Sequence, residues 1–311
     1  MSVINKPRRS ARQRFWTYLK GHWELYAFLI PGLLVLALFK YAPMSKIVIA
    51  FKNYKPRRGI AGSKWVGWAN FERIFAEPVV WKVFRNTLEI NLMQIAICVP
   101  LPMFMAIMMN EINCMPLKKS VQTMVYLPHF FTWVVVYSIF FNLFGGMGMI
   151  NNVIKAITGS PIQFFTKGGW FRFILVISSI WKGTGWSTIV YLAAISGIDA
   201  EIYEAAIIDG ASKVKQTRYI TIPSLIPTLA LMLTVRMGSV ISGGFDQVLA
   251  FYNPSVYDSA DILGTYIYRQ GIGQADFSFA TAVGLFESVV GLMFVLLSNF
   301  FSKKLTGRNV W

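Results

Sequence analysis

The sequence predicts an all-α membrane protein with six transmembrane helices, and three observations carry that prediction. Of its 311 residues 55% are hydrophobic and only 14% are charged, with a mean hydropathy of +0.51, where soluble proteins carry roughly 25% charged residues. Six runs are long enough to cross a bilayer, which takes ~20 mostly apolar residues. The Lys and Arg residues behind the net charge of +16 sit mainly in the tails and between these runs. That is membrane-flanking charge rather than a basic stripe beside stacking aromatics, so nucleic acid is not the expected partner.

The first run, 26–50, follows a basic tail (1–25) containing Lys6, Arg8, Arg9, Arg12, Arg14 and Lys20. It is interrupted only by Lys40 and Lys46. It exceeds the ~7 to 15 apolar residues of a signal peptide and has no clean small-residue cleavage site, so it reads as an uncleaved helix. The runs 86–109 and 120–144 contain Pro100, Pro102 and Pro128, and the first contains Pro31 and Gly32. Such residues kink membrane helices without excluding them, because neighbouring helices satisfy the freed backbone groups. The remaining runs are 171–195, 225–250 and 278–300. The domain organisation is then the tail 1–25, a six-helix domain 26–300 and a C-terminal tail 301–311. No internal repeat, low-complexity segment or second soluble domain stands out.

Six crossings place both tails and the segment between runs four and five on one side, expected to be cytoplasmic because Lys303, Lys304 and Arg308 join the basic N-terminus there. The segment 52–85 runs against this rule, carrying Arg57, Arg58, Lys64, Arg73 and Lys82 on the other face. Its Trp65, Trp68, Phe71, Phe75 and Trp81 fit an amphipathic stretch lying at the membrane interface.

Residues 204–227 read EAAIIDGASKVKQTRYITIPSLIP. Ala205 and Ala206 keep one helix face small so that a partner can approach, and Glu204 and Asp209 leave charge for a basic partner. Gly210 permits the positive φ that ends the helix. Pro223 and Pro227 restart a helix or punctuate its first turn.

Glu204, Ala205, Ala206 and Gly210, followed by Ile222, Pro223 and Pro227, resemble the EAA loop of permease subunits in binding-protein-dependent ATP-driven importers. The likeness extends through WVGWANFERIF (65–75), NTLEI (86–90), YLPHFFTWVVV (126–136), the stretch 180–206, GGFDQV (243–248) and DILGTYIYRQGI (261–272). These look like the carbohydrate-importer permeases, and more narrowly the oligosaccharide and polysaccharide branch that includes alginate permeases. Thr217 departs from the pattern, standing where many members carry a bulky apolar residue. The resemblance implies a type I importer fold with one peripheral helix and a core of five. It also implies a second permease subunit in a heterodimer, two ATPase subunits that bind ATP and Mg²⁺, and an extracytoplasmic sugar-binding protein. The loop 200–224 would dock on the ATPase through Glu204, Ala205, Ala206, Asp209, Gly210 and Pro223.

No phosphate-cradling GxxxxGK[ST] loop is present, since Gly183-Thr184-Gly185 lacks the following Lys, so ATP hydrolysis is expected elsewhere. Cys98 and Cys114 offer no disulfide framework, and His22 and His129 lack metal-ligand spacing, His129 being expected to bond backbone near Pro128. Sugars are held by aromatic faces and planar polar groups. The candidates are Trp181, Lys182 and Trp186 in run four, Arg236, Phe245, Asp246, Gln247 and Tyr252 in or after run five, and Tyr266, Tyr268 and Arg269 in the following connection. Each aromatic has a structural alternative as an interfacial belt residue. Arg236 is expected either to pair with Glu287, the preferred alternative, or to line the pathway and favour an acidic sugar. Two rival readings are a lone ion-coupled carrier using Asp246, Glu287 or Arg236, and a membrane enzyme. The first usually shows repeated halves, and the second needs paired carboxylates or an oriented nucleophile; neither stands out.

Overall fold

The computed structural model describes residues 18–306, with side chains through residue 300; the tail up to residue 17 and Arg308 lie outside the described residues. Residues 18–21 of the expected N-terminal tail are already helical, and His22 stacks on Tyr18 with ring centroids 4.3 Å apart. Among the described residues, six stretches are long and apolar enough to cross a membrane: Trp23–Phe51, Pro78–Asn110, Trp133–Thr158, Gly168–Ser196, Lys213–Met237 and Phe277–Phe300. Apolar sequence makes these helices because every backbone polar group in lipid must be satisfied within the segment. The first buries none of its most apolar window against the rest of the chain, and joins the other helices only at its end, where Ala50 and Phe51 pack with Ile74, Val80 and Phe279.

Two of the expected runs are broken rather than kinked. In 120–144 the helix Met115–Tyr126 tightens into a 3₁₀ turn at Leu127–Phe130 and restarts at Trp133, where the Thr132 hydroxyl caps the amide of Val135. Pro128 cannot donate to the helical ladder, and this shifts the third apolar stretch to begin at Trp133. In 225–250 the helix ends at Met237, a turn occupies 238–244, and a short helix Phe245–Phe251 follows Gly244, whose φ is +84°. The start of the fifth helix differs in the opposite sense. Pro223 and Pro227 do not restart it: one helix runs from Lys213 to Met237, with a π-turn at Thr217–Thr221 just before Pro223. A π-turn is where such a missing donor is absorbed without ending the helix.

The connections sort to two ends. At one, the Asn86 amide donates to the carbonyls of Asp258 and Asp261 (3.2 and 3.3 Å), Arg172 donates to Asn86 and to the Ser259 carbonyl (both 2.8 Å), and Asn253 donates to the Phe165 carbonyl (2.9 Å). Arg73 bridges Glu77 and Asp276 (2.6 Å each), and Glu89 accepts from Arg85 and Arg172 (2.6 Å each). At the other end the Tyr191 hydroxyl donates to the Val99 carbonyl (3.1 Å) above a cluster of Met103, Ala106, Ile195 and Leu225. Segments 52–77, 159–172 and 251–276 therefore share one face, and the turns at 111–114 and 197–212 share the opposite one.

Candidate functional site

Near the middle of the bundle lies a cavity of about 410 Å³. Five of the expected pathway residues line it: Lys182, Arg236, Phe245, Asp246 and Gln247. They converge because the fifth run breaks at 238–244, which sets the start of the short helix Phe245–Phe251 beside the end of the long one. Gln247 is buried, and its amide is used four times. It donates to the Leu175 carbonyl (2.7 Å) and Ser178 Oγ (2.9 Å), and accepts from Gln94 (2.9 Å) and Ser179 (3.1 Å). It ties three segments together at the cavity wall. Lys182 Nζ donates to the carbonyls of His129 (2.5 Å) and Phe131 (2.7 Å), the groups exposed where the third run breaks. Asp246 is exposed to the cavity.

Arg236 does not pair with Glu287. Among the described residues neither forms an ion pair, and Glu287 lines a separate pocket with Gly238, Ser242, Ser288 and Gly291. Arg236 instead faces the main cavity. An Arg at this depth without a carboxylate partner is costly unless a polar cavity or a ligand receives it.

At the face opposite segments 52–77, 159–172 and 251–276, the helix Ala200–Ile208 opens with Asp199 accepting from the Glu201 amide (3.0 Å). It ends in a Schellman motif, with Gly210 N–H donating to the Ile207 carbonyl (3.0 Å) and Ala211 N–H to the Ala206 carbonyl (2.9 Å). Gly210 has φ +75°, the conformation its sequence position called for. The Gln216 side chain donates to the Ala211 carbonyl (3.0 Å), and the hydroxyls of Tyr203 and Thr221 meet at 2.8 Å, pinning this helix to the next. Glu204, Ala205 and Asp209 are exposed, as are Ile207, Ile208 (86%) and Val214 (77%).

Residues 98–308 match the family described as binding-protein-dependent transport system inner membrane component. The chain belongs to that family. It is 39% identical over 305 residues to the polygalacturonan/rhamnogalacturonan transport system permease protein YteP of Bacillus subtilis strain 168, covering 98% of this chain and 95% of that protein. It is 42% identical over 287 residues to the protein LplB of the same organism, covering 92% and 90%. Among solved structures it is similar to a bacterial ABC transporter that imports the acidic polysaccharide alginate (36% identity, TM-score 0.86, 94% of this chain and 99% of that one). A second structure of a bacterial alginate transporter, in complex with a periplasmic protein bound to an alginate pentasaccharide, gives a TM-score of 0.87. The type I importer permease fold follows, as does a multi-pass inner-membrane subunit of an ABC transporter.

Within this permease, six expected pathway residues lie away from the cavity lining. Trp181 packs between Phe131 and Phe140 (6.1 and 5.9 Å). Trp186 stacks on His129 at 4.5 Å, so the His129 ring packs against an aromatic face rather than bonding backbone. Tyr252 packs on Tyr257 (5.0 Å), and Tyr268, 45% exposed, sits 5.9 Å from Phe245. Tyr266 is buried; its surroundings push its hydroxyl up to about 12 mainly by burial, so it stays protonated and donates to Glu77 (3.1 Å). Arg269 is held by Asp261 beneath the Tyr257 ring (4.6 Å). The sequence reading missed Asn91, Gln94, Ser239 and Ser242, which line the cavity. The signal available was Asn91 and Gln94 three residues apart on one face of an apolar helix, where polar groups are costly unless used.

Proposed function

We propose that this permease is the translocation subunit of an importer that moves an oligosaccharide received from an extracytoplasmic binding protein. It would work beside a second permease subunit, and two ATPase subunits would supply the energy, bind ATP and Mg²⁺ and leave this chain without a catalytic step. The observation that carries the coupling role is the exposed helix pair at 200–224. Its Ile207, Ile208 and Val214 are uncovered beside exposed Glu204 and Asp209, and such an apolar group rimmed by charge fits a protein partner. Glu204, Ala205, Ala206, Asp209 and Gly210 would form the docking surface, while Pro223 shapes the helix behind it. Lys182, Arg236, Phe245, Asp246 and Gln247 would border the path, with Asn91 and Gln94 adding hydrogen-bonding groups.

The test is co-purification with the neighbouring permease and ATPases, followed by ATPase assays over neutral and uronic oligosaccharides presented by the binding protein. Turnover stimulated by a loaded binding protein is expected; robust ATP turnover by the isolated chain overturns the assignment. The unpaired Arg236 favours a uronic cargo, a reading supported by the relatives named for polygalacturonan and alginate. Arg236→Gln should therefore lower uptake of an acidic oligosaccharide about tenfold or more, since a hydrogen bond to a charged group contributes about 1.5 to 3 kcal/mol. A neutral oligosaccharide of the same length should be affected less, and equal loss for both would remove the charge argument.

In the orientation we propose, both tails and the loop 200–224 face the cytoplasm. In a Cys98→Ser, Cys114→Ser background, Ala61→Cys and Ser160→Cys should react with an impermeant thiol reagent in intact cells, and Ser212→Cys should not. Ser63 is buried against Gly59 and Lys55, which makes the neighbouring exposed Ala61 the better reporter. Labelling at residue 212 from outside would reverse the orientation.

A further inference from the structure

The cations on the face that carries segment 52–77 fall into two groups. Apart from the isolated Lys155 and Lys167, those beyond the hairpin are paired: Arg73 with Glu77 and Asp276, Lys82 with Asp258 (2.5 Å), Arg85 and Arg172 with Glu89, Arg269 with Asp261. Those on the small hairpin after the first helix are not. Lys55, Arg57, Arg58 and Lys64 are all exposed, and among the described residues none has a carboxylate partner. Four unpaired positive charges within ten residues repel one another and call for an anionic neighbour outside the chain.

The hairpin's register says how deep that neighbour lies. The first apolar stretch ends at Phe51, and the next residue, Lys52, pairs across the two-stranded ladder with Trp65, while Asn53 pairs with Lys64. Trp65 is therefore level with the end of the membrane-spanning stretch. Its ring stacks on Phe51 at 5.8 Å with planes 10° apart, and Trp68 meets the same Phe51 edge-on at 5.3 Å, yet both indoles remain more than half exposed (58% and 65%). Lys52 is turned inward to the Ile60 carbonyl (2.7 Å), and Ser63 ties Lys55 to Gly59, so the loop is held in shape. Two open indoles at the level of the chain's exit, with four free cations just above, match the chemistry of a membrane interface. Trp fits the boundary between tails and headgroups, and Lys and Arg fit negative headgroups.

We propose that this hairpin is a binding site for anionic phospholipid headgroups in the leaflet it faces, with Trp65 and Trp68 seated at the interface and Lys55, Arg57, Arg58 and Lys64 receiving the phosphates. The proposal does not depend on the transported cargo. It also accounts for the charge of segment 52–64 that runs against the positive-inside pattern: these cations are drawn to a lipid rather than setting orientation.

The test uses the full-length permease, with its co-purified partners, reconstituted in brominated phosphatidylglycerol or brominated phosphatidylcholine. The hairpin's contribution to tryptophan quenching is taken as the difference between wild type and Trp65→Phe/Trp68→Phe. At low salt, quenching by the phosphatidylglycerol probe should correspond to a preference of about threefold or more over phosphatidylcholine. It should fall to about one in Lys55→Gln/Arg57→Gln/Arg58→Gln/Lys64→Gln, and should weaken at high ionic strength. The quadruple variant alters only exposed side chains, and an unchanged elution profile would confirm its fold. Equal quenching by both lipids in the wild type would overturn the headgroup selectivity. Absence of quenching by either lipid would place the hairpin against protein and overturn the proposal outright.

Discussion

Gly210→Val and Glu204→Ala should each leave the permease inserted and paired with its partner subunit, yet with weak ATPase association and little sugar uptake. The two act by different physics. Gly210 sits at φ +75° with nothing within 4 Å of where a Cβ would stand. The cost of Val is therefore conformational, about 1 to 2 kcal/mol or more for a β-branched residue in the left-handed region, and it loosens the Schellman turn rather than the core. Glu204 is exposed, so removing it costs the isolated chain little. In the docked complex it would remove a charge-assisted contact of about 1.5 to 3 kcal/mol. Uptake assays together with pull-down of the ATPase separate the outcomes. If both variants transport at wild-type rate with the ATPase fully bound, the loop is not the coupling element.

The second large effect is structural. A Cβ on Gly185 would lie 2.0 Å from the Val125 carbonyl oxygen and 2.6 Å from its carbon, so the helix Gly168–Ser196 and the helix Met115–Tyr126 touch backbone to backbone there. Small residues allow such close approach in membranes, where packing rather than hydrophobic exclusion holds helices together. Gly185→Ala should separate the two helices and cost about 3 kcal/mol, the upper range for overpacking. That would appear as a marked fall in monodisperse yield and in thermal midpoint by size-exclusion chromatography in detergent. Gly183, two residues away, has open space at the same position, and Gly183→Ala should leave both unchanged. Similar behaviour of the two variants would contradict the contact.

The six apolar stretches were legible because length and hydropathy alone select a membrane helix, and the loop was legible because its spacing of Glu204, Gly210 and Pro223 is local. The breaks were not. Pro128 and the glycines at 238, 243 and 244 are tolerated inside membrane helices as well as at their ends, and only the packing around them shows that here the carbonyls of His129, Phe131 and Gly243 find other donors, in Lys182 and Asn91. Facing was the other blind spot. Whether Arg236 meets Glu287 or the cavity depends on the rotation of two helices 51 positions apart in sequence. Arg269 and Tyr266 resemble sugar-binding groups until Asp261 and Glu77 are seen to occupy them. Gly185 was read only for the missing phosphate loop, since a close approach leaves no mark in a single sequence beyond the small residue itself.

The uninterrupted helix Lys213–Met237 has a consequence for energy transfer. At about 1.5 Å per residue, roughly 35 Å separate Lys213, at the rim of the exposed loop, from Arg236 at the cavity. The two ends belong to one stiff rod: a tilt of about 10° at the loop end sweeps the guanidinium through about 6 Å, on the scale of a sugar ring. With an ATPase docked on the loop 200–224 as proposed, a lever of this length would need no chain of relayed contacts between that partner and the cavity.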